Sequence, residues 1–77
     1  MIESYLVVEA ATAKLGAAAL ALGALEGVRL HNNEGLRLVI TAEAPTEAKM
    51  EALIGRVCAL PGVTRARIVH QRMRNAV

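Results

Sequence analysis

The chain of 77 residues contains no Asp, no Phe and no Trp, and it has one Tyr, one Ser and one Cys. These absences exclude several kinds of protein. A Ser-His-Asp triad needs an Asp to orient its histidine, so the only serine, Ser4, has no triad to join. The only cysteine, Cys58, cannot form an intramolecular disulfide, so the fold must be stable without that cross-link. The core must be built from Ala, Leu, Val, Ile and Met.

The sequence also lacks the patterns that are typical of metal sites and of phosphate-binding loops. There is no Cys-x-x-Cys, no His-x₃-His and no glycine-rich loop, and strand alternation predicts that His31 and His70 lie on opposite faces. Cys58 falls near the edge of a buried helical stripe, where a thiol is usually an inert apolar group. Residues 10–13 hold no arginine for an acylphosphatase-like anion loop. We therefore predict that the protein is not an enzyme, holds no metal ion and uses no cofactor.

Aromatic residues and long apolar runs are both scarce. RNA binding on an open four-stranded sheet relies on aromatic stacking platforms, and Tyr5 is the only such ring available. The longest weakly polar run, residues 15–25, has 11 residues, whereas a membrane span needs about 20. The first residues have neither a basic start nor an apolar stretch of the secretory type. We expect no nucleic-acid partner, no membrane insertion and a cytoplasmic location.

Acidic residues are missing from the last third of the chain. Residues 1–51 hold all seven glutamates and four basic residues, a net charge of −3. Residues 52–77 hold five arginines and no acid, a net charge of +5. Such a basic segment can indicate an anionic partner, but the simpler interpretation is a solvated strand and tail.

Two nearly identical segments, ALEGV at 24–28 and ALPGV at 59–63, stand 35 positions apart. A duplicated strand-helix-strand unit explains the repeat. Hydrophobic periodicity and turn residues predict strands over 3–9, 28–32, 36–42 and 63–71, helices over 11–25 and 45–59, a three-residue hairpin loop at 33–35 and a loose tail at 73–77. The order βαββαβ predicts one ferredoxin-like α+β domain over 1–77, a four-stranded antiparallel sheet with both helices on one face.

Alternation along the strands divides their residues between two faces. The helix-covered face is predicted to hold Leu6, Val8, Val28, Leu30, Leu38, Ile40, Ala66 and Ile68. The open face is predicted to hold Tyr5, Val7, Glu9, Arg29, His31, Arg37, Val39, Thr41, Arg65, Arg67 and Val69. A solvated face is usually more uniformly polar, so the valines and the tyrosine favour a surface that a peptide, a second copy or a nucleic acid covers. The other interpretation is that β-branched residues favour strands whatever they face.

Several short motifs follow one another along nearly the whole chain. Ser4–Ala10 and Ile68–Gln71 stand at its two ends. Between them come a small-residue helix, the segment Leu25–His31, a strand led by Gly35, and Leu60–Val63. In order and spacing these motifs resemble the NapD family, whose first strand begins Ser-Leu-Val-Val-Gln and whose last strand closes with Leu-Val-Tyr-His.

The resemblance implies a small cytoplasmic chaperone for periplasmic nitrate reductase. NapD-like proteins bind the twin-arginine signal peptide of the molybdenum-containing catalytic subunit and hold back its export until the cofactor is in place. The family fold is ferredoxin-like, and the peptide is expected on the exposed sheet face. The implied peptide-binding residues are Tyr5, Val7, Glu9, Arg29, His31, Arg37, Val39, Arg65, Arg67 and Val69.

A twin-arginine signal peptide carries basic residues followed by an apolar segment. A helix formed by the apolar segment could lie on Tyr5, Val7, Val39 and Val69. The carboxylates of Glu9 and Glu3 could pair with the arginines of the peptide. The arginines of the same face, Arg29, Arg37, Arg65 and Arg67, and the basic segment 71–74 would repel a basic ligand.

A second interpretation stays open at the level of the sequence. The βαββαβ order also occurs in ACT and Lrp-type effector domains, which dimerise and bind small metabolites at their interfaces. Ala17, Ala21 and Ala24 form an outer stripe on the first helix that could support a weak homodimer. Exposed alanine is also simply a good helix former.

Overall fold

The computed structural model describes residues 1–73, apart from the side chain of Glu34. Its elements are β1 (Ile2–Ala10), a turn of 3-10 helix (Thr12–Lys14), α1 (Leu15–Ala24), β2 (Val28–Glu34), β3 (Arg37–Ala44), α2 (Glu47–Ala59) and β4 (Val63–Met73). The strands form one antiparallel sheet in the order β2-β3-β1-β4. This confirms the predicted ferredoxin-like fold.

Both helices pack on the same face of the sheet. Leu22 of α1 and Val57 of α2 are fully buried, in one cluster with Leu6 of β1 and Ile40 of β3. The cluster takes alternate residues of the two central strands and three- and four-residue steps of the helices, as a one-sided core requires. Its members are Ile2, Leu6, Val8, Ala10, Ala18, Leu22, Leu38, Ile40, Ala42, Ala44, Met50, Leu53 and Val57. Within residues 1–73, the opposite face carries no helix.

The repeated segments form the same helix-to-strand corner in each half. The Val28 amide donates to the Leu25 carbonyl at 3.2 Å, and the Val63 amide donates to the Leu60 carbonyl at 3.1 Å. The third residue of each turn is a glycine with positive φ, 86° at Gly27 and 90° in the second half, as a type II turn requires. A Cβ atom at Gly27 would lie 2.7 Å from the Glu43 carbonyl oxygen. Glycine is therefore needed there for conformation and for space.

The connecting segments differ in detail from the predicted ones. β2 continues to Glu34, so the hairpin loop is the two-residue segment Gly35–Leu36 and not 33–35. The second helix begins at Glu47, because Thr46 is its N-cap and accepts from the Lys49 amide at 3.2 Å. Pro45, predicted in the first helical turn, precedes that cap.

β4 is longer and more exposed than predicted. Met73 pairs with Ile2 and belongs to the strand, not to a tail, while the rest of the predicted tail lies outside the described residues. Ile68, predicted in the core, is 44% exposed, because β4 is an edge strand that neither helix covers fully. Cys58 is also exposed, not at a buried stripe.

Neither helix reaches membrane-spanning length. α1 has 10 residues and α2 has 13, and no helix within residues 1–73 is long and apolar enough to cross a bilayer.

Candidate functional site

The bare face of the sheet is built from the odd-numbered residues of β1 and their neighbours. Even-numbered residues of β1 enter the core, so Glu3, Tyr5, Val7 and Glu9 lie on the other side. Directly opposed residues of antiparallel strands share a face, which defines four rows across this open face. The rows are Glu43–Glu3–Arg72, Arg29–Thr41–Tyr5–His70, Asn32–Val39–Val7–Arg67 and Arg37–Glu9–Arg65.

The centre of the open face is apolar and partly uncovered. Val7 of β1 lies directly opposite Val39 of β3, with Tyr5 in the adjacent row. All three are half-buried, and neither helix lies above them. Half-buried apolar side chains in the middle of a sheet retain surface that another chain can cover.

One end of the face is an exposed array of charges around Glu9. Its carboxylate lies 3.6 Å from Arg37 Nε, and both side chains are substantially exposed. Arg65 lies opposite Glu9, and Arg67 opposite Val7, along β4. An exposed ion pair of this kind contributes at most about 1 kcal/mol, so these side chains rearrange at little cost.

The other end is organised around the buried carboxylate of Glu3. Its side chain is only 6% exposed, although it lies on the open face. Oε1 accepts hydrogen bonds from the Tyr5 hydroxyl at 2.9 Å and from Arg72 Nε at 2.8 Å. Arg72 Cζ lies 6.0 Å from the centre of the Tyr5 ring, at the limit of a cation–π contact. The hydrogen bond to Glu3 raises the pKa of the Arg72 guanidinium above its ordinary value.

A bulge in β4 changes which residues reach this end. Leu6 pairs with Ile68 and Tyr5 with His70, so Val69 has no partner in β1. His70 therefore lies on the open face, with its ring centre 5.8 Å from that of Tyr5. The prediction that His70 and His31 lie on opposite faces is wrong for this reason. Val69, predicted within the face, is 60% exposed but stands out of register.

A second irregularity occurs in β2 at His31. Leu30 pairs with Ile40 and Asn32 with Val39, so His31 is the extra residue. His31 Nε2 and Thr41 Oγ1 form a hydrogen bond, which keeps the His31 ring on the open face. Thr41 is buried, so its hydroxyl is not part of the accessible surface. Asn32 takes the place in the row that alternation gives to His31.

The structure brings most of the predicted site residues together. The register places Tyr5, Val7, Glu9, Arg29, Arg37, Val39, Arg65 and Arg67 on one face. Glu43, Asn32, His70 and Arg72 were missed, and Glu3 was considered only as a partner for peptide arginines. Alternation within the predicted first strand already gives Glu3, and Glu43 follows because β3 extends to Ala44, beyond its predicted end. No sequence signal marks the two bulges, which bring Asn32, His70 and Arg72 to the face.

A βαββαβ domain with helices on one face and a bare, half-apolar opposite face belongs to the ferredoxin-like class. A family model described as "NapD protein" matches residues 3–74, so the chain belongs to the NapD family. A solved structure with the same fold is the solution structure of the E. coli Tat proofreading chaperone protein NapD. It is 20% identical, with a TM-score of 0.83 over 94% of this chain and 78% of that one. No curated protein matches this chain significantly.

Proposed function

We propose that this protein is a Tat proofreading chaperone that binds the twin-arginine signal peptide of a periplasmic nitrate reductase catalytic subunit. In this proposal the peptide lies on the open face in the cytoplasm, and export waits until the molybdenum cofactor is loaded. The chaperone acts by covering the peptide, so it needs no catalytic group. Membership of the NapD family, together with a bare face of the right chemistry, supports this function.

The single observation that carries the proposal is the uncovered Val7–Val39 pair beside Tyr5. An amphipathic helix presents apolar residues at i, i+3, i+4 and i+7, and such a stripe can cover a patch of this kind. Covering the patch removes apolar area from water at about 25 cal/mol per Å². The apolar segment of the signal peptide supplies the stripe.

Charge favours one orientation of the peptide on the face. Among the residues that the structure describes, the row at one end holds two glutamates, Glu3 and Glu43, and one arginine, Arg72. Towards the other end, Arg67 and Arg65 line the edge strand. A basic peptide segment is attracted to the first end and repelled along β4. We therefore place the arginines of the peptide over the Glu3 end and its apolar segment over the valines, with Glu9 as a weaker acidic contact.

ACT and Lrp-type regulatory modules, the alternative interpretation, have the same βαββαβ topology as this chain but belong to other families. The match to the NapD model over residues 3–74 supports the chaperone over this alternative. The outer alanines of α1 remain open to solvent at Ala17 and Ala24, and no comparison bears on a homodimer.

Isothermal titration calorimetry with a synthetic nitrate reductase signal peptide tests the proposal. We expect saturable binding by the wild-type protein. Val39→Glu should abolish it, because a carboxylate in the middle of the patch would have to be desolvated under the peptide. Val39→Thr, which keeps the shape and replaces one methyl group with a hydroxyl, should weaken it less.

Ala48→Glu is the matched control, because it adds the same charge at an exposed position of α2 on the covered side. It should bind like the wild type, and circular dichroism should show that all variants are folded. Unchanged affinity in a folded Val39→Glu protein would show that the peptide does not lie on this face. An absence of binding by the wild type would contradict the chaperone function itself.

A further inference from the structure

The buried carboxylate of Glu3 is unusual among the charges of the open face. A buried carboxylate is stable only when it is paired and hydrogen-bonded, and Glu3 meets this condition through Tyr5 and Arg72. The two partners differ in exposure. The side chain of Glu3 is 6% exposed, whereas that of Arg72 is 53% exposed. The carboxylate of Glu3 is thus buried within the open face, whereas the guanidinium of Arg72 lies on the solvent-exposed surface of that face.

Glu3 and Tyr5 together have the chemistry of a guanidinium site. A carboxylate recognises the forked donors of arginine, and an aromatic ring accepts the planar cation over its face. Arg72 makes both contacts, at 2.8 Å from Nε to the carboxylate and 6.0 Å from Cζ to the ring centre. His70 extends the ring surface beside Tyr5. The site is complete and is filled by an arginine of the same chain.

We propose that Glu3 and Tyr5 form the subsite for an arginine of the bound signal peptide, and that Arg72 is a placeholder which the peptide arginine displaces. This inference rests on the proposed function. Arg72 is the second-last residue of an exposed edge strand, after the bulge at Val69. Its side chain can leave without disturbing the core, because the core cluster includes no residue of β4 beyond Ala66.

The placeholder gives the face a means of selecting arginine. A peptide helix that covers this end must push Arg72 aside, and a peptide without a cation would then cost Glu3 the charge-assisted hydrogen bond from Arg72. Losing such a bond from a buried carboxylate is unfavourable, so such peptides bind less tightly. An arginine restores both contacts that Arg72 made, whereas lysine lacks the fork and the planar face.

Nuclear magnetic resonance of the arginine Nε–Hε groups tests the displacement in the wild-type protein. The Arg72 signal, assigned by its loss in Arg72→Gln, reports the hydrogen bond to Glu3. We expect it to move to the position of a solvated arginine as a peptide with two consecutive arginines and an apolar segment saturates the protein. If the signal stays in place while the peptide binds, the placeholder is wrong and the chaperone function stands. If the peptide does not bind, both the placeholder role of Arg72 and the chaperone function are wrong.

Affinities of matched variants provide the second test. Arg72→Gln should bind the two-arginine peptide about tenfold more tightly, because one competing charge-assisted hydrogen bond is removed. Arg67→Gln removes the same charge from the same strand and face, and it should tighten binding by less than about threefold through reduced repulsion alone. Equal effects of the two substitutions would overturn the proposal.

The double variant Glu3→Gln/Arg72→Gln keeps the test decisive even if the single variant folds poorly, because it removes both charges of the ion pair. Its preference for the two-arginine peptide over a peptide with glutamines in their place should be about tenfold smaller than that of the wild type, with only the weaker attraction of Glu43 and Glu9 left. A preference as large as that of the wild type would place the arginine subsite elsewhere.

Discussion

Among single residues, Gly27 and Gly35 both have a positive φ angle, but glycine is required at the two positions for different physical reasons. Gly27 has φ 86° and no room for a Cβ atom, because the Glu43 carbonyl oxygen would lie 2.7 Å away. Gly35 has φ 61°, but nothing lies within 4 Å of an added Cβ. The first position is constrained by conformation and contact, and the second by conformation alone.

Replacing each glycine by alanine separates these two effects. Gly35→Ala should lower the free energy of unfolding by about 1 kcal/mol, the usual cost of positive φ with a side chain. Gly27→Ala should cost more, about 2–3 kcal/mol, because the Gly27 carbonyl also accepts from the Glu43 amide at 2.8 Å and the strand cannot move away freely. Urea denaturation measures both values. Equal losses would show that the corner relaxes around the added methyl group.

Glu3 and Arg72 show how sequence separation hides a pair of residues that contact each other. They stand at opposite ends of the chain, yet they are neighbours in the sheet because β4 returns antiparallel beside β1. Strand alternation assigns Glu3 to the open face with no further information. The place of Arg72 depends on the bulge at Val69, which has no signature in the sequence.

At the scale of elements, the first helix shows how a helix made of small residues is held. α1 contributes only Ala18 and Leu22 to the fully buried core, so one leucine carries much of its attachment. Leu20, two positions earlier, is 79% exposed. The two leucines therefore form a matched pair within one helix.

Leu22→Ala should lower the free energy of unfolding by about 3 kcal/mol, because it removes buried area and leaves a cavity against the sheet. Leu20→Ala should change it by less than about 0.5 kcal/mol. Thermal or urea unfolding followed by circular dichroism measures both. A large effect at Leu20 together with a small one at Leu22 would mean that α1 packs through its other face.

The elements that could be predicted from the sequence are those governed by local pattern. Apolar alternation gave four strands, three- and four-residue spacing gave two helices, and the ALEGV and ALPGV repeats marked the corners. Boundaries shifted where a cap or a pairing partner decides them, as at Thr46, which caps α2, and at Met73, which pairs with Ile2. The bulges at His31 and Val69 arise from pairing between strands, so local pattern contains no record of them.

At the scale of the whole molecule, the uneven charge of the sequence becomes a mixed charge in space. The acidic β1 lies between β3 and the basic β4, so glutamates meet arginines on both sides. Glu9 pairs with Arg37 and Glu3 with Arg72. The basic last third is therefore not a free anion-binding patch along its whole length. At least Arg72 is engaged by the chain itself.

The fold leaves one face of a four-stranded sheet without cover, and the account of function depends on that face. In residues 1–73, both helices and the core cluster lie on the other face of the sheet and cover it. What remains is an apolar centre at Val7 and Val39 between two charged ends. A peptide with basic residues at one end and an apolar segment after them matches this arrangement of charged and apolar residues.

The most direct test is a map of the bound peptide by amide chemical-shift changes in a ¹⁵N-labelled sample titrated with the nitrate reductase signal peptide. We expect the largest changes along Tyr5, Val7 and Val39, while the outer face of α1 around Leu20 is unaffected. Changes concentrated on the helices, with Val7 and Val39 silent throughout the titration, would contradict it.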